Sequence, residues 1–315
     1  MCPRSIDAGT QEMSSLSDPS QKISIASRST RTPADLVITP RDRRFGRDVA
    51  QRRWWCGGDP VATAFFNALS VTFPRGEAFF IEAVKAHRQG VPPRLAGEIR
   101  AFVQQEVMHS REHVSFNRKV AEAGYDIAPL EQVVIDSLEL IRGRPKIVDL
   151  TATMALEHYT AMLAHLILAD PATLDGADLE WADMWRWHAI EEIEHKGVAH
   201  DTWLHATRDW SRWRRWRMKA LVMLLVTAQF WPRRIDGMLR LLAQDGITGW
   251  KAKARVAWFM VGRPGVLRRL FLPWLTFFLP GFHPWKTDDR ALVRRYDSAY
   301  ADARMPVAQK LGTAA

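Results

Sequence analysis

FVQQEVMHSREH at 102–113 and WRWHAIEEIEHKGVAHD at 185–201 decide the fold. Each holds a Glu and a His three residues apart, Glu106 with His109 and Glu192 with His195. Residues three apart are neighbours on one face of an α-helix, so each pair can grip one metal ion from a single helix. Around the first stretch, apolar residues recur at helical spacing from Leu95 to Gly124, where the glycine stops the helix. Around the second, the same spacing runs from Asp178 to Thr207. Two more helices precede these: Pro60 to Arg88, capped by Asp59 and kinked or interrupted near Pro74 and Gly76, and Ile147 to Leu168. The turns are Gln89 to Pro93 and Asp170 to Gly176, and a long, partly helical connection from Ile127 to Pro145 joins the halves. Strand signals are absent, so the expected class is all-α, a four-helix bundle of two hairpins and one crossover.

The two helices without a Glu-x-x-His pair each offer a lone carboxylate. Glu77 lies about 14 residues before the turn midpoint near Val91 and Glu106 about 15 after it, which at ~1.5 Å per residue puts them within about 2 Å of one level. Glu157 and Glu192 stand about 17 and 18 residues either side of Leu174, so the second hairpin repeats the arrangement. The neighbours are apolar: Phe79, Phe80 and Ile81; Val107 and Met108; Met154, Ala155 and Leu156. Four carboxylates in such surroundings are costly unless they neutralise something, and two divalent cations do so. The expected ligands are Glu77, Glu106, His109, Glu157, Glu192 and His195. His113 and His188 sit one turn away on the same faces, as extra ligands, partners of the ligands or proton shuttles. His158 points about 100° away from Glu157. Glu191 replaces Glu192 if the register differs, and Glu194 is expected at the surface with Lys196 or Arg186.

FPRGEAFF (73–80), FVQQEVMHSREH, ALEHYTA (155–161) and WRWHAIEEIEHKGVAHD resemble the bacterial family of predicted metal-dependent hydrolases, and the likeness extends to LPGFHPW (279–285). That family in turn resembles the ferritin-like di-iron carboxylate proteins, whose bundle has the same crossover. By this resemblance the same six residues fall on the ligand positions. Carboxylate and imidazole without thiolate suit iron first, with manganese or a mixed Fe/Mn pair as the alternative. The expected function is O2 activation by a di-iron pair that oxidises an apolar or amphipathic substrate. The alternatives are a metal-dependent hydrolase using a metal-bound hydroxide and a non-enzymatic iron-binding protein. The chain holds no G-x-S-x-G elbow and no P-loop, so hydrolysis would have to be metal-based.

The rest of the chain differs in kind. Residues 1–45, rich in Ser, Thr, Arg and Asp, show no sustained periodicity and are expected to be a disordered tail. From Arg208 to Trp285 there are 15 Lys and Arg against three acids, and eight of the 14 Trp, so the net charge of +9 belongs to this region. We expect residues 208–315 to form a basic, Trp-rich helical appendage to a bundle at 54–207. Trp210, Trp213, Arg214, Arg215, Trp216, Arg217 and Trp231 are expected on a surface that meets an anionic membrane or admits a lipid-like substrate. The apolar run from Ala220 to Trp231 is too short to span a bilayer. Nucleic acid is disfavoured, because no recognised binding module is present. Cys2 and Cys56 are too few for a disulfide framework, and the N-terminal stretch has no apolar signal core, which together suggest the cytoplasm, peripheral at the inner membrane. A homodimer is left open.

Overall fold

A computed structural model of the chain describes residues 32–301. Among them the regular structure is helical, with no β-strand. The first expected helix is two: α1 (Pro60–Ser70), whose N-cap Asp59 accepts from the Val61 N–H, and α2 (Phe73–Lys85). Pro74 stands in the first turn of α2, where its missing N–H costs nothing, so the break falls before the proline. α3 (Pro93–Glu122) also starts on a proline and ends before Gly124, whose φ of +94° turns the chain away. The crossover contains α4 (Ala128–Glu139) and leads into α5 (Lys146–Ala169). α6 (Leu179–His195) and α7 (Val198–Ala206) replace the expected single fourth helix. The break has a packing cause: Lys196 is buried with its Nζ 2.5 Å from Asp289, and a Cβ at Gly197 would lie 2.7 Å from Thr32 Oγ1 and 3.1 Å from the Trp285 ring. The chain steps sideways to admit these segments.

α2 packs on α3, α5 on α6, α2 on α5 and α3 on α6, so these four helices enclose one interior. α6 is buried on every side from Trp181 to His195. That is why its sequence lacks a strong amphipathic stripe.

The basic region is built into this core. α8 (Arg212–Gln244) runs unbroken through Pro232 and packs on α1 and α5. The run from Ala220 to Trp231 is thus one part of a long helix. Trp231 was expected at the surface, but it is buried, 5.7 Å from the Tyr159 ring, because it lies on the face of α8 that meets α5. α9 (Gly249–Ala257) leads through a short π-helical turn at Trp258–Gly262 towards α10 (Val266–Thr276), which packs on α5, and α11 (Arg290–Ala301) packs on α6 and α5. Met223, Met238, Leu241, Phe277 and Trp285 belong to the same hydrophobic core as Phe102, Trp181 and Trp187. Among the described residues no helix is long and apolar enough to cross a membrane.

Of the expected tail, residues 1–31 lie outside the described residues. Residues 32–45 form an arm against α3 and α6, with Phe45 buried 5.4 Å from the Trp187 ring. The arm lacks periodicity because its backbone N–H groups bond to buried carboxylates: Thr39 to Glu194, Arg41 to Glu191 and Phe45 to Glu112.

Candidate metal centre

α2 supplies Glu77, α3 Glu106 and His109, α5 Glu157, and α6 Glu192 and His195, and all six side chains are buried. The four helices bring them to one place. His195 Nε2 lies 3.2 Å from Glu106 Oε1, 3.5 Å from Glu157 Oε2 and 3.5 Å from Glu192 Oε2. His109 Nδ1 lies 3.6 Å from Glu192 Oε1 and 4.0 Å from Glu106 Oε2. Potential ligand atoms of Glu77, Glu106 and His109, and of Glu106, Glu192 and His195, fall within 4.8 Å of one another.

These atoms are close without being hydrogen-bonded. Glu77 Oε1, both oxygens of Glu106 and of Glu157, Glu192 Oε2, His109 Nδ1 and His195 Nε2 are buried polar atoms with no hydrogen-bond partner. Native interiors leave few such atoms, and here every one of the six side chains contributes. A cation would satisfy them together, so the donor set fits divalent metal.

The electrostatics agree. Burial, and then repulsion among the acids, pushes the Glu106 and Glu157 carboxyls well above the usual range; burial does the same to Glu77, against a hydrogen bond from Ser110. Burial also acts on Glu192, but His195 and His188 outweigh it and hold that carboxyl well below its usual range. His109 and His113 are pushed well down by burial and then by His188, which favours neutral rings with a free lone pair.

The far sides of the imidazoles are fixed by a layer only partly visible in the sequence. Gln105 directs its Nε2 at Glu194 (3.0 Å) and its Oε1 at His195 Nδ1 (2.9 Å), so His195 donates from Nδ1 to Gln105 and directs Nε2 at the cluster. His109 Nε2 lies 3.1 Å from Glu191 Oε2 and leaves Nδ1 for the cluster. Glu191 is therefore a partner of His109, with its carboxyl pushed up to about 8 by burial against the pull of Arg41. Glu194 is corrected from a surface residue: it is buried between Gln105 and Arg41, whose Nη2 is 2.7 Å away, while Lys196 turns to Asp289 and Arg186 to Asp183. Arg41 and Gln105 were missed. Arg41 sits in the arm read as tail, and nothing in the sequence marks Gln105, whose burial only the structure shows.

His113 and His188 adjoin the cluster. Ser70 Oγ donates to Asn117 Oδ1 (2.6 Å), so it accepts from His113 Nδ1 (2.8 Å). His113 Nε2 then accepts from His188 Nδ1 (2.6 Å), and His188 Nε2 meets Glu192 Oε1 at 2.8 Å. His188 needs both ring protons to serve both partners. His158 points elsewhere, towards Pro273 O and the rings of Phe277 and Phe282.

A largely apolar cavity of about 270 Å³ reaches the cluster, lined by His188 and Glu192 with Phe73, Trp185 and Leu163. Phe73 packs on both His113 and His188, with ring centres 4.5 and 4.8 Å apart. Of the expected surface residues, Trp213, Arg214, Trp216 and Arg217 are exposed, while Trp210 and Arg215 are half-buried. The rings of Trp213 and Trp216 stack 5.0 Å apart, and Arg214 lies over Trp210. In LPGFHPW, His283 bonds Asp201 on α7 at 3.0 Å, and Trp285 packs beneath Gly197.

No curated protein and no solved structure matches this chain. The family described as predicted metal-dependent hydrolase matches residues 39–288, a span that takes in the arm from Thr39 onward, the cluster and His283. That description overturns the expectation of O2 activation: it names hydrolysis, the reading held as the alternative, and gives no support to an oxidoreductase. The chain belongs to the predicted metal-dependent hydrolase family.

Proposed function

We propose that this chain is a hydrolase dependent on two divalent cations, iron or manganese, held by Glu77, Glu106, His109, Glu157, Glu192 and His195 in a ferritin-like arrangement of α2, α3, α5 and α6. One observation carries this: six buried side chains from four helices turn polar atoms without partners into one volume. When bound, such ions supply Lewis acidity and lower the pKa of water to near neutrality. Gln105 and Glu191 hold the two imidazoles so that His195 Nε2 and His109 Nδ1 face the cluster. Phe73, Trp185 and Leu163 keep the approach apolar, so a substrate meets Glu192 and His188 with bulk water displaced. His188 is placed to hold a proton at Nε2 beside Glu192 and to pass one through Nδ1 to His113.

The test is ester and amide turnover by purified protein stripped by chelation and then reloaded with single metals. Turnover that vanishes on stripping and returns on reloading supports the reading. Metal-independent turnover, or none with any loaded ion across acyl chain lengths, refutes it.

A peripheral membrane contact is favoured by one further observation. Trp213 and Trp216 on α8 and Leu275 and Leu279 near the end of α10 are exposed, and Trp216 Nε1 bonds Phe278 O, which joins the two patches. Arg212, Arg214 and Arg217 flank them, the composition of a bilayer interface. Co-sedimentation with anionic vesicles that weakens with salt supports this contact, and no binding at low salt removes it.

A further inference from the structure

A second cavity, of about 520 Å³, lies between α2, α4, α5 and α8. Its volume is that of an ordinary small-molecule site. Phe79, Val134, Leu138, Leu156, Leu225 and Val226 are among its apolar lining. Asp149 also lines it, but its carboxylate is engaged by Lys146 at 3.3 Å.

The other charged groups are cationic. Arg234 is 7% exposed, donates Nη1 to Ala68 O at 3.0 Å and has no partner for Nε. Among the described residues no carboxylate pairs with it. Arg233, beside it, bonds only the neutral Oε1 of Gln229 at 2.8 Å. Burial and then Arg233 lower the Arg234 guanidinium to about 10, and its neighbours Ala68 O and the Phe230 ring, 5.7 Å away, carry no countercharge. A buried cation is costly when unpaired, and a guanidinium matches a carboxylate or a phosphate group.

The cavity shares a wall with the approach to the cluster. Leu69, Phe73, Thr160 and Leu163 line both it and the smaller cavity that reaches His188 and Glu192. We propose that the larger cavity binds an anionic amphiphile, its apolar chain against α2, α4 and α5 and its carboxylate or phosphate head on Arg233 and Arg234, and that the substrate belongs to this class. Only the last clause rests on the hydrolase reading. A molecule anchored on Arg234 would lie against Phe73, which also lines the cavity that reaches Glu192 and His188.

Calorimetric titration with decanoate, decyl phosphate, decanol and butyrate, on metal-stripped and metal-loaded protein, tests the site. Decanoate or decyl phosphate should bind at least tenfold more tightly than decanol and butyrate, and the tighter of the two identifies the head group. Arg233→Gln should weaken the anionic ligand about tenfold and leave decanol unchanged. Ala152→Phe, which fills the cavity from α5, should abolish binding of every ten-carbon ligand while circular dichroism stays native. Equal affinity for decanol and decanoate, no binding at all, or binding untouched by both variants overturns the proposal. Binding without ester turnover by the loaded protein sinks the hydrolase reading and keeps the site; turnover without amphiphile binding does the reverse.

Discussion

Gln105 and Arg41 do for the cluster what its own acids cannot. Gln105 fixes the orientation of His195, and Arg41 compensates two buried carboxylates, Glu191 and Glu194, that would otherwise sit without a cation behind the imidazoles. Losing a partner of a metal-binding histidine costs about 10–100-fold in metal affinity. Gln105→Leu is therefore expected to weaken metal binding by that range with the fold intact, measured by competition with a chelator of known affinity. Arg41→Met removes the cation from both buried carboxylates and leaves them only the hydrogen bonds of Thr39, Gln105, His109 and the backbone N–H at 41, so urea denaturation should show a loss of about 3 kcal/mol. Neither residue could be read from the sequence, because Gln105 differs from any helical Gln only by burial and Arg41 by a fold-back of some 150 residues. The acids and imidazoles of the cluster were legible, because spacing and height in a hairpin are set by helix geometry alone.

At the level of elements, the long periodic segments and the break near Pro74 were legible, and the break at Gly197 was not. The helix expected from Asp178 to Thr207 divides at Gly197 because segments near Thr32 and Trp285 press on that residue, contacts that local periodicity does not encode. The arm was misread for the same reason: its order comes from carboxylates on α3 and α6. Gly46 holds the arm in a left-handed turn, φ +62°, and a Cβ there would sit 1.8 Å from the Trp181 ring. Gly46→Ala must therefore move either the arm or a buried Trp. Proteolysis should cut the variant between residues 32 and 47 at least tenfold faster than the parent, and equal rates would show that the arm is not held there. Core overpacking of this kind costs about 1–3 kcal/mol.

Across the whole molecule, the basic region and the helical core are one packed unit, and the positive charge that looked like an appendage is partly buried in it. Lys219 shows the consequence: burial, and then Lys286, lower its ammonium to about 8. The unfolded chain binds more protons than the folded one between about pH 8 and the ordinary lysine value of 10.5, so stability should rise with pH across that window. Lys219→Met should flatten this rise in urea denaturation series. Metal acts on the whole fold too, since the ligands come from four helices: an ion at 100 times its dissociation constant adds about 2.7 kcal/mol, so stripping should lower the thermal midpoint and reloading restore it. The most direct measurement is the metal content of purified protein after saturation and desalting. We predict two ions per chain, reduced in both Glu106→Ala and His195→Ala; a parent without bound metal, or two folded variants loaded as fully as the parent, contradicts the account.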